Sequence, residues 1–201
     1  MPAPIDFLIL APLNEERQAV LSHLPNPQRL PPDAQDVRVY YQCDVPTEFP
    51  GGQRGLYRVV ITSPLGMGQL EAATATADAI RRWQPRYVLL VGIAGGDPEE
   101  AALGDVLIGE QFVYYELQKL TDDAAQARYQ SYRADPRLYA NAQHLAGWQP
   151  AVNAARPDDG SPSCLFGVII SGDKVQARAG ALKPSPFKVP AELGQQPAGA
   201  P

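Results

Sequence analysis

Residues 87 to 110 carry the sequence YVLLVGIAGGDPEEAALGDVLIGE. An apolar run, Tyr87 to Val91, leads into Gly92, Gly95 and Gly96 and then into an acidic loop. A dinucleotide-binding turn requires the pattern GxGxxG opening directly into a helix, because the pyrophosphate binds at the N-terminus of that helix. The glycine spacing here differs, and a second strand-like run, GDVLIGE (104–110), follows instead of a helix. A dinucleotide site is therefore excluded, and the absence of a GxxxxGKS or GxxxxGKT motif excludes a P-loop.

The apolar run at residues 87–91 has no polar alternation, which predicts a central strand buried on both faces of an α/β sheet. Other short apolar segments of strand length, bounded by turn residues, are also predicted to be strands. The predicted strands are residues 5–11, 37–45, 56–63, 87–91, 104–116 and 164–173.

Three helices are predicted between these strands. The first begins with Asn14 as its N-cap, carries two glutamates in its first turn, and ends at Pro25. The second has apolar residues three or four apart, and the third begins at Asp135 and Pro136. Their predicted apolar faces are Leu70, Ala73, Ala77, Ile80 and Trp83 for the second helix, and Leu138, Ala142, Leu145 and Trp148 for the third. This order of elements predicts an α/β fold, a three-layer αβα sandwich around a mixed central sheet.

The composition argues against several classes of function. The chain has 201 residues with a formal net charge of −5, which argues against a nucleic-acid-binding surface. No apolar run approaches the ~20 residues needed to span a bilayer, and the N-terminus lacks the basic start of a secretory signal. Cys43 and Cys164 match no zinc spacing, so we expect no metal site and two free thiols, which favours a cytoplasmic location.

The last 25 residues, 177–201, differ from the rest of the chain. They contain five prolines together with small and polar residues and show no sustained periodicity. Such a composition cannot bury enough apolar surface to offset the entropy of ordering the chain. The sequence therefore predicts a domain over residues 1–176 and a disordered tail over residues 177–201.

Four motifs in series carry a resemblance to a known family. They are PLGMGQLEAATATADAI (64–80), VGIAGG (91–96), GDVLIGE (104–110) and GVIISGD (167–173). From about residue 5 to 175 the chain resembles the nucleoside phosphorylase/nucleosidase superfamily, and within it the 5′-methylthioadenosine/S-adenosylhomocysteine nucleosidases. The resemblance implies cleavage of the N-glycosidic bond of an adenosine-like nucleoside, with no cofactor and with a homodimer as the assembly.

The loop after the first strand separates hydrolases from phosphorylases in this family. Phosphorylases carry a glycine-containing phosphate loop there, whereas this chain has APLNEER (11–17). By the resemblance, Glu16 is the carboxylate that activates water. The alternative is that Glu16 is only a favourable charge in the first turn of a helix. Arg17 is a possible anion contact or a solvated side chain.

The resemblance also assigns residues to the nucleoside pocket. Leu13 and Met67 would form apolar walls near the sugar, and Val175 would lie near the base. Ile93, Ala94, Gly95 and Gly96 would face the nucleoside. Each apolar member of this set could equally be a core residue, and Leu13 fits that alternative best. Ile93 stands where the family often has a hydroxyl residue.

The C-terminal segment departs from the family. After Lys174 and Val175 the chain lacks the Met-Glu pair that binds the ribose hydroxyls and the Ser-Asp pair whose aspartate donates to the purine. The loss would weaken catalysis and would leave an edge of the central sheet unpaired. Two other functions therefore stay open: a phosphate-dependent phosphorylase, and a nucleoside-binding module without catalysis.

Overall fold

The computed structural model describes residues 4–32, 34, 36–49, 51–97, 99–116, 118–120, 125–127, 129–145 and 161–172. Contacts between Cα atoms divide the chain into two compact units, Met1–Ile93 and Ala94–Pro201. Mixed sheets with helices confirm the predicted α/β class. The described strands form hydrogen-bonded sheets of five, three and two strands.

The first unit contains the five-stranded sheet. Its strands are β1 (Phe7–Leu10), β2 (Gln28–Arg29), β3 (Tyr41–Phe49), β4 (Gln53–Thr62) and β5 (Tyr87–Leu90), in the order β2-β3-β4-β1-β5. β1 is parallel to both β4 and β5, whereas β3 and β4 form an antiparallel hairpin. Two glycines with positive φ, Gly51 and Gly52, turn this hairpin. Two helices complete the unit, α1 (Asn14–His23) and α2 (Gln69–Trp83).

Helix α2 faces the sheet with a different side from the one predicted. Its buried residues are Ala75 and Ala79, and Trp83 packs against the core cluster that contains Ala79. The predicted apolar residues Leu70, Ala73, Ala77 and Ile80 are exposed, Leu70 by 79%. The prediction of that face is therefore wrong, except at Trp83. Alanines allow the helix backbone to approach the sheet closely, which the longer Leu70 and Ile80 side chains would prevent.

Strand β5 also differs from its predicted place. It lies at the edge of the five-stranded sheet and pairs only with β1 among the described strands. Leu90 is 64% exposed and Val91 is 40% exposed, so the prediction of a central strand buried on both faces is wrong. An edge strand in a sheet leaves one row of backbone groups without ladder partners.

The second unit contains the remaining elements. These are β6 (Val106–Tyr114), β7 (Gln118–Leu120), β8 (Ala125–Ala127), β9 (Gln130–Arg133), α3 (Pro136–Gln143) and β10 (Cys164–Ser171). β10 is parallel to β6, which pairs on its other side with the antiparallel β9, while β7 and β8 pair with each other. Asp135 caps α3 by accepting hydrogen bonds from the N–H groups of Arg137 and Leu138, as predicted.

The predicted apolar face of α3 holds only in part. Leu138 and Ala142 are partly buried, but the helix ends at Gln143 and Leu145 is 61% exposed. Trp148 lies outside the described residues.

A cluster of charged side chains ties the loop before β3 to helix α2 in the first unit. The Tyr40 hydroxyl donates to Asp36 Oδ2 at 2.6 Å, and Arg38 Nη1 lies 3.4 Å from Asp36 Oδ1 and 2.8 Å from Asp78 Oδ2. Arg82 Nη1 lies 3.6 Å from Asp36 Oδ2, and its guanidinium carbon lies 4.9 Å from the centre of the Tyr40 ring. The Asp36 and Arg38 side chains are only 12% and 8% exposed, so solvent screens these contacts weakly.

The cluster shifts two pKa values in opposite directions. Burial acts to raise the pKa of Asp36, but hydrogen bonds from Tyr40 and the Arg38 N–H and the charges of Arg38 and Arg82 outweigh it, so the pKa lies below 3.8. Burial and the adjacent Asp36 carboxylate raise the pKa of Tyr40 to about 12. A lowered carboxyl pKa stabilises the folded state above the unfolded pKa, and this contribution is lost as the pH falls through the folded value.

We expect Asp36→Asn to lower the free energy of unfolding by about 1–3 kcal/mol at neutral pH, because it removes the anion to which three donors point. Asp44→Asn is the control: Asp44 pairs with Arg58 at 3.2 Å, with both side chains 31–43% exposed. Its effect should stay below about 1 kcal/mol. Urea unfolding at several pH values measures both. The difference between wild type and Asp36→Asn should shrink as the pH falls below 3.8; equal losses in the two variants would contradict the assignment.

Candidate functional site

The carboxyl ends of β1, β4 and β5 lie side by side in the first unit. Leu10, the last residue of β1, is in register with Thr62 of β4 and with Leu90 of β5. The ladder continues by one bond on each side, since the Ala11 N–H donates to the Thr62 carbonyl and the Val91 N–H donates to the Leu10 carbonyl. The three segments that follow these strands therefore start at one edge of the sheet. In open α/β folds this is the edge where ligands bind.

Glu16 is fixed at this edge by two backbone donors. Its Oε2 accepts a hydrogen bond from the Leu13 N–H at 2.7 Å, and its Oε1 accepts one from the Ile93 N–H at 2.7 Å. The residue is 8% exposed. The first bond is the one that a glutamate at the third helical position commonly makes to the N-cap residue. The second bond joins α1 to the segment after β5, 77 residues away, and a first-turn helix charge does not require it.

The start of α1 differs from the prediction. Leu13, with extended φ of −99° and ψ of 157°, is the N-cap residue, and Asn14 is the first residue of the helix. The side chain of Asn14 serves another purpose, because its Oδ1 accepts a hydrogen bond from Arg17 Nη2 at 2.9 Å. The prediction of Asn14 as the N-cap is therefore wrong. The glutamate three residues beyond the true N-cap supplies the carboxylate that satisfies the N-cap N–H.

Arg17 joins α1 to the segment after β4. Its Nη1 donates to the Ser63 hydroxyl at 3.3 Å, while Nη2 donates to Asn14. The residue is partly buried, and its Nε is buried without a hydrogen-bond partner among the described residues. The alternative of a solvated arginine is therefore wrong. Both terminal nitrogens of the guanidinium bind protein oxygen atoms.

The apolar candidates of the first unit lie outside the core. Met67 is 72% exposed and Ile93 is 80% exposed, so the alternative that they are core residues is wrong. Leu13 is partly buried. Leu13 and Ile93 bind Glu16 through their backbone N–H groups. The Ile93 side chain takes no part in this bond and is available to contact another group.

The sequence of the chain also matches a known protein family. The family model of the Phosphorylase superfamily matches residues 9–193. The chain belongs to this superfamily. The match includes the edge that bears Glu16 and extends beyond residue 176.

The chain is similar to several nucleosidases of known sequence or structure. The 5′-methylthioadenosine/S-adenosylhomocysteine nucleosidase of Mycobacterium tuberculosis (strain CDC 1551 / Oshkosh) is 28% identical over 142 residues, 63% of this chain and 55% of that protein. The structure of a nucleosidase of the same name from Colwellia psychrerythraea 34H, in complex with adenine, has a TM-score of 0.60 at 21% identity, covering 86% of this chain and 64% of that one. A futalosine hydrolase mutant of Helicobacter pylori strain 26695 has a TM-score of 0.59 at 16% identity, covering 87% and 70%. The chain spans about half the length of the curated relative that it matches.

The other residues that the sequence predicts to line the nucleoside pocket belong to the second unit. Ala94 and Gly95 are exposed and Gly96 is partly buried. A Cβ added at Gly96 would lie 3.0 Å from the Cβ of Ala101, so the glycine allows close packing within its own loop. Val175 lies outside the described residues.

The parallel strands of the second unit also end together. Ser171 of β10 is in register with Tyr114 of β6, and the Tyr115 N–H donates to the Ser171 carbonyl at 3.3 Å. A Cβ added at Gly172 would lie 2.6 Å from the ring of Tyr115. The ring of Tyr115 therefore packs directly against Gly172, the second glycine of the GVIISGD motif, a contact that the sequence did not reveal.

Sequence reasoning identified Glu16 and Ile93, which the structure brings together, but it missed two residues of the same edge. Ser63 was assigned only to the end of the predicted strand over residues 56–63. Gly92 was noted only as the glycine that closes the apolar run and begins the glycines of the VGIAGG motif, although it lies against the Glu16 carboxylate. The register of β1 with β4 and β5 brings these residues together, and no local pattern signals that register.

Among the described residues, no group of three or more histidine, cysteine, aspartate or glutamate side chains is placed to hold a metal ion. Cys43 and Cys164 are free, as predicted. None of the described helices is long and apolar enough to cross a membrane.

The two hydrogen bonds to Glu16 predict that substituting this residue lowers the stability of the folded chain. Glu16→Gln should lower the free energy of unfolding by about 1–3 kcal/mol, because the amide group cannot accept both N–H bonds and loses the charge that strengthens them. Glu15→Gln is the matched control, since Glu15 is exposed in the same helical turn and loses the same dipole interaction. Urea unfolding of both variants measures the difference. Equal stability of the two variants would show that holding both oxygens of the Glu16 carboxylate contributes nothing to stability.

Proposed function

We propose that the chain cleaves the N-glycosidic bond of an adenosine-like nucleoside with water, and that Glu16 is the general base. The observation that carries the proposal is the fixed, buried carboxylate of Glu16 at the carboxyl ends of three strands in a member of the Phosphorylase superfamily. The name of the Mycobacterium tuberculosis relative and the adenine bound in the Colwellia structure support the choice of nucleoside.

The hydrogen bonding of Glu16 is compatible with this role. An ionised carboxylate offers about four lone-pair sites, and two backbone N–H groups occupy two of them. Each oxygen therefore retains a site that can accept a proton from water. Two fixed donors also set the direction of the carboxylate before the substrate arrives, and such positioning lowers the cost of reaching the transition state.

The proposed reaction breaks the bond between the anomeric carbon and the base nitrogen and forms a bond from that carbon to the water oxygen. Glu16 accepts one proton of the attacking water and later releases it to solvent, and the departing base takes up a proton at nitrogen from solvent, so that the net change is the addition of one water. Leu13 and Met67 would contact the sugar side, and Ile93 to Gly96 would lie along the nucleoside. Val175 would lie near the base.

We propose the same organisation that the sequence predicts: a catalytic domain over residues 1–176 and a tail over residues 177–201, in a homodimer located in the cytoplasm. The resemblance to the family supports the dimer, and the two free cysteines support the location. Light scattering on the purified chain measures its mass directly, and a monomer would contradict the proposed dimer.

The first test of the function is turnover by the Glu16 variant. The chain should release adenine from methylthioadenosine, and Glu16→Gln should reduce that rate by about 10²–10⁴-fold, the usual contribution of a general base. Glu15→Gln should retain the rate, because its side chain is exposed and outside the hydrogen-bonded pair. Chromatography of the released base measures both. Equal turnover by wild type and Glu16→Gln would refute the role of Glu16, and nucleoside binding without turnover would favour a binding module.

The second test separates hydrolysis from phosphorolysis. Adenine release should not depend on phosphate, because the buried Glu16 carboxylate lies at the edge of the sheet where the anion would bind. Two unit charges about 4 Å apart repel by about 4 kcal/mol near a protein surface. The rate with and without added phosphate, together with the identity of the sugar product, decides between the two reactions. A strict requirement for phosphate and a sugar 1-phosphate product would establish the phosphorylase.

A further inference from the structure

Gly92 has no room for a side chain, and a single neighbour occupies the space. A Cβ built on Gly92 would lie 2.7 Å from Glu16 Oε1, 3.1 Å from Glu16 Cδ and 3.2 Å from Glu16 Oε2. These are the three heavy atoms nearest to it, and all belong to the carboxylate of the proposed base. The carboxylate thus packs directly on the backbone of the residue that follows Val91.

The backbone at Gly92 does not itself require glycine. The glycines with positive φ in the described part of the chain are Gly51, Gly52, Gly68 and Gly104, and Gly92 is not among them. An alanine could therefore adopt the same backbone conformation without strain. The requirement for glycine at this position is one of space alone, and the space is filled by Glu16.

The Glu16 carboxylate is the group that must move if a methyl group is added. It is the far end of a flexible side chain, whereas the Gly92 backbone continues into the donor at Ile93. The carboxylate cannot move away from Gly92 and keep the 2.7 Å bond from the Ile93 N–H, because the donor belongs to the very next residue. A methyl group at position 92 would thus displace the carboxylate without removing any of its atoms.

We propose that Gly92 is a positioning residue for Glu16: the absence of a side chain lets the Glu16 carboxylate lie against the end of β5 and accept the Ile93 N–H. The catalytic consequence rests on the proposed function of Glu16 as the general base. The structural part rests only on the distances between Gly92, Glu16 and Ile93.

The test is a double-mutant cycle of Gly92→Ala with Glu16→Ala in the full chain, with thermal unfolding as the first measurement. Gly92→Ala should lower Tm in wild type, because it breaks the Glu16–Ile93 contact. In the Glu16→Ala background the same change should leave Tm unchanged or raise it, since alanine restricts the unfolded chain more than glycine does. An equal fall in Tm in both backgrounds, or no fall in wild type, would overturn the proposal.

The Ile93 amide gives a direct spectroscopic measurement of the displaced bond. In Gly92→Ala its proton resonance should move upfield and its hydrogen exchange should accelerate, as in Glu16→Ala. Gly66→Ala is the control for adding a methyl group to a loop glycine, because a Cβ there makes only an ordinary 3.5 Å contact with Glu71 Cγ. It should leave the Ile93 resonance in place. An unshifted Ile93 amide in Gly92→Ala would overturn the proposal.

Kinetics separate positioning from a purely structural role. Gly92→Ala should reduce kcat for adenine release by about 10²-fold, the cost of displacing a catalytic group by about 1 Å, with little change in KM. An unchanged kcat together with a shifted Ile93 amide would overturn the catalytic part of the proposal. If wild type itself releases no adenine, the proposed function fails, and the double-mutant cycle and the Ile93 amide still decide whether Gly92 positions Glu16.

Discussion

The hydrogen bonds from the Leu13 and Ile93 N–H groups to the two oxygens of Glu16 are the constraint on which the candidate site depends. A carboxylate that is 8% exposed requires partners, because an ionised group without them is costly to bury. Both donors belong to segments that leave adjacent parallel strands, and the register of β1 with β5 sets their separation. The sheet therefore determines where the carboxylate lies, and the carboxylate in turn links the start of α1 to the end of β5.

Local sequence pattern predicted much of the first unit. The apolar runs that became β1 and β5 are short, uninterrupted and bounded by turn residues, so their backbone state follows from nearby residues. The cap at Asp135 was predicted for the same reason, because Asp135 and Pro136 are adjacent in the chain. The short strands β2, β7, β8 and β9 were missed, since each has only two to four residues, too few to show an alternation that would indicate a buried face.

Helix α2 shows why periodicity alone cannot choose a buried face. Its sequence, QLEAATATADAIRRW, contains one set of small residues and one set of larger apolar residues on different sides. Hydrophobicity favours Leu70 and Ile80 for the core, whereas close packing against β1 favours Ala75 and Ala79, and the packing requirement prevails. The same limit applies to the site. The pairs Glu16–Ile93 and Arg17–Ser63 are 77 and 46 residues apart, and only the register of the sheet brings them together.

Glu16 has both a structural role and a proposed catalytic role, so the effect of substituting it is ambiguous. Replacing Glu16 removes the proposed base and also removes the link between α1 and the end of β5, so a loss of turnover has two possible causes. Gly92→Ala separates them, because a methyl group there breaks the link but leaves the carboxylate present in a displaced position. If the base needs only to be present, a displaced carboxylate on a side chain with several rotatable bonds still accepts a proton from water. If it must point at the anomeric carbon from a fixed direction, the space above Gly92 is as necessary for catalysis as the carboxylate that fills it. The two backbone donors that compensate the burial of the carboxylate also fix its direction, which is what the second case requires.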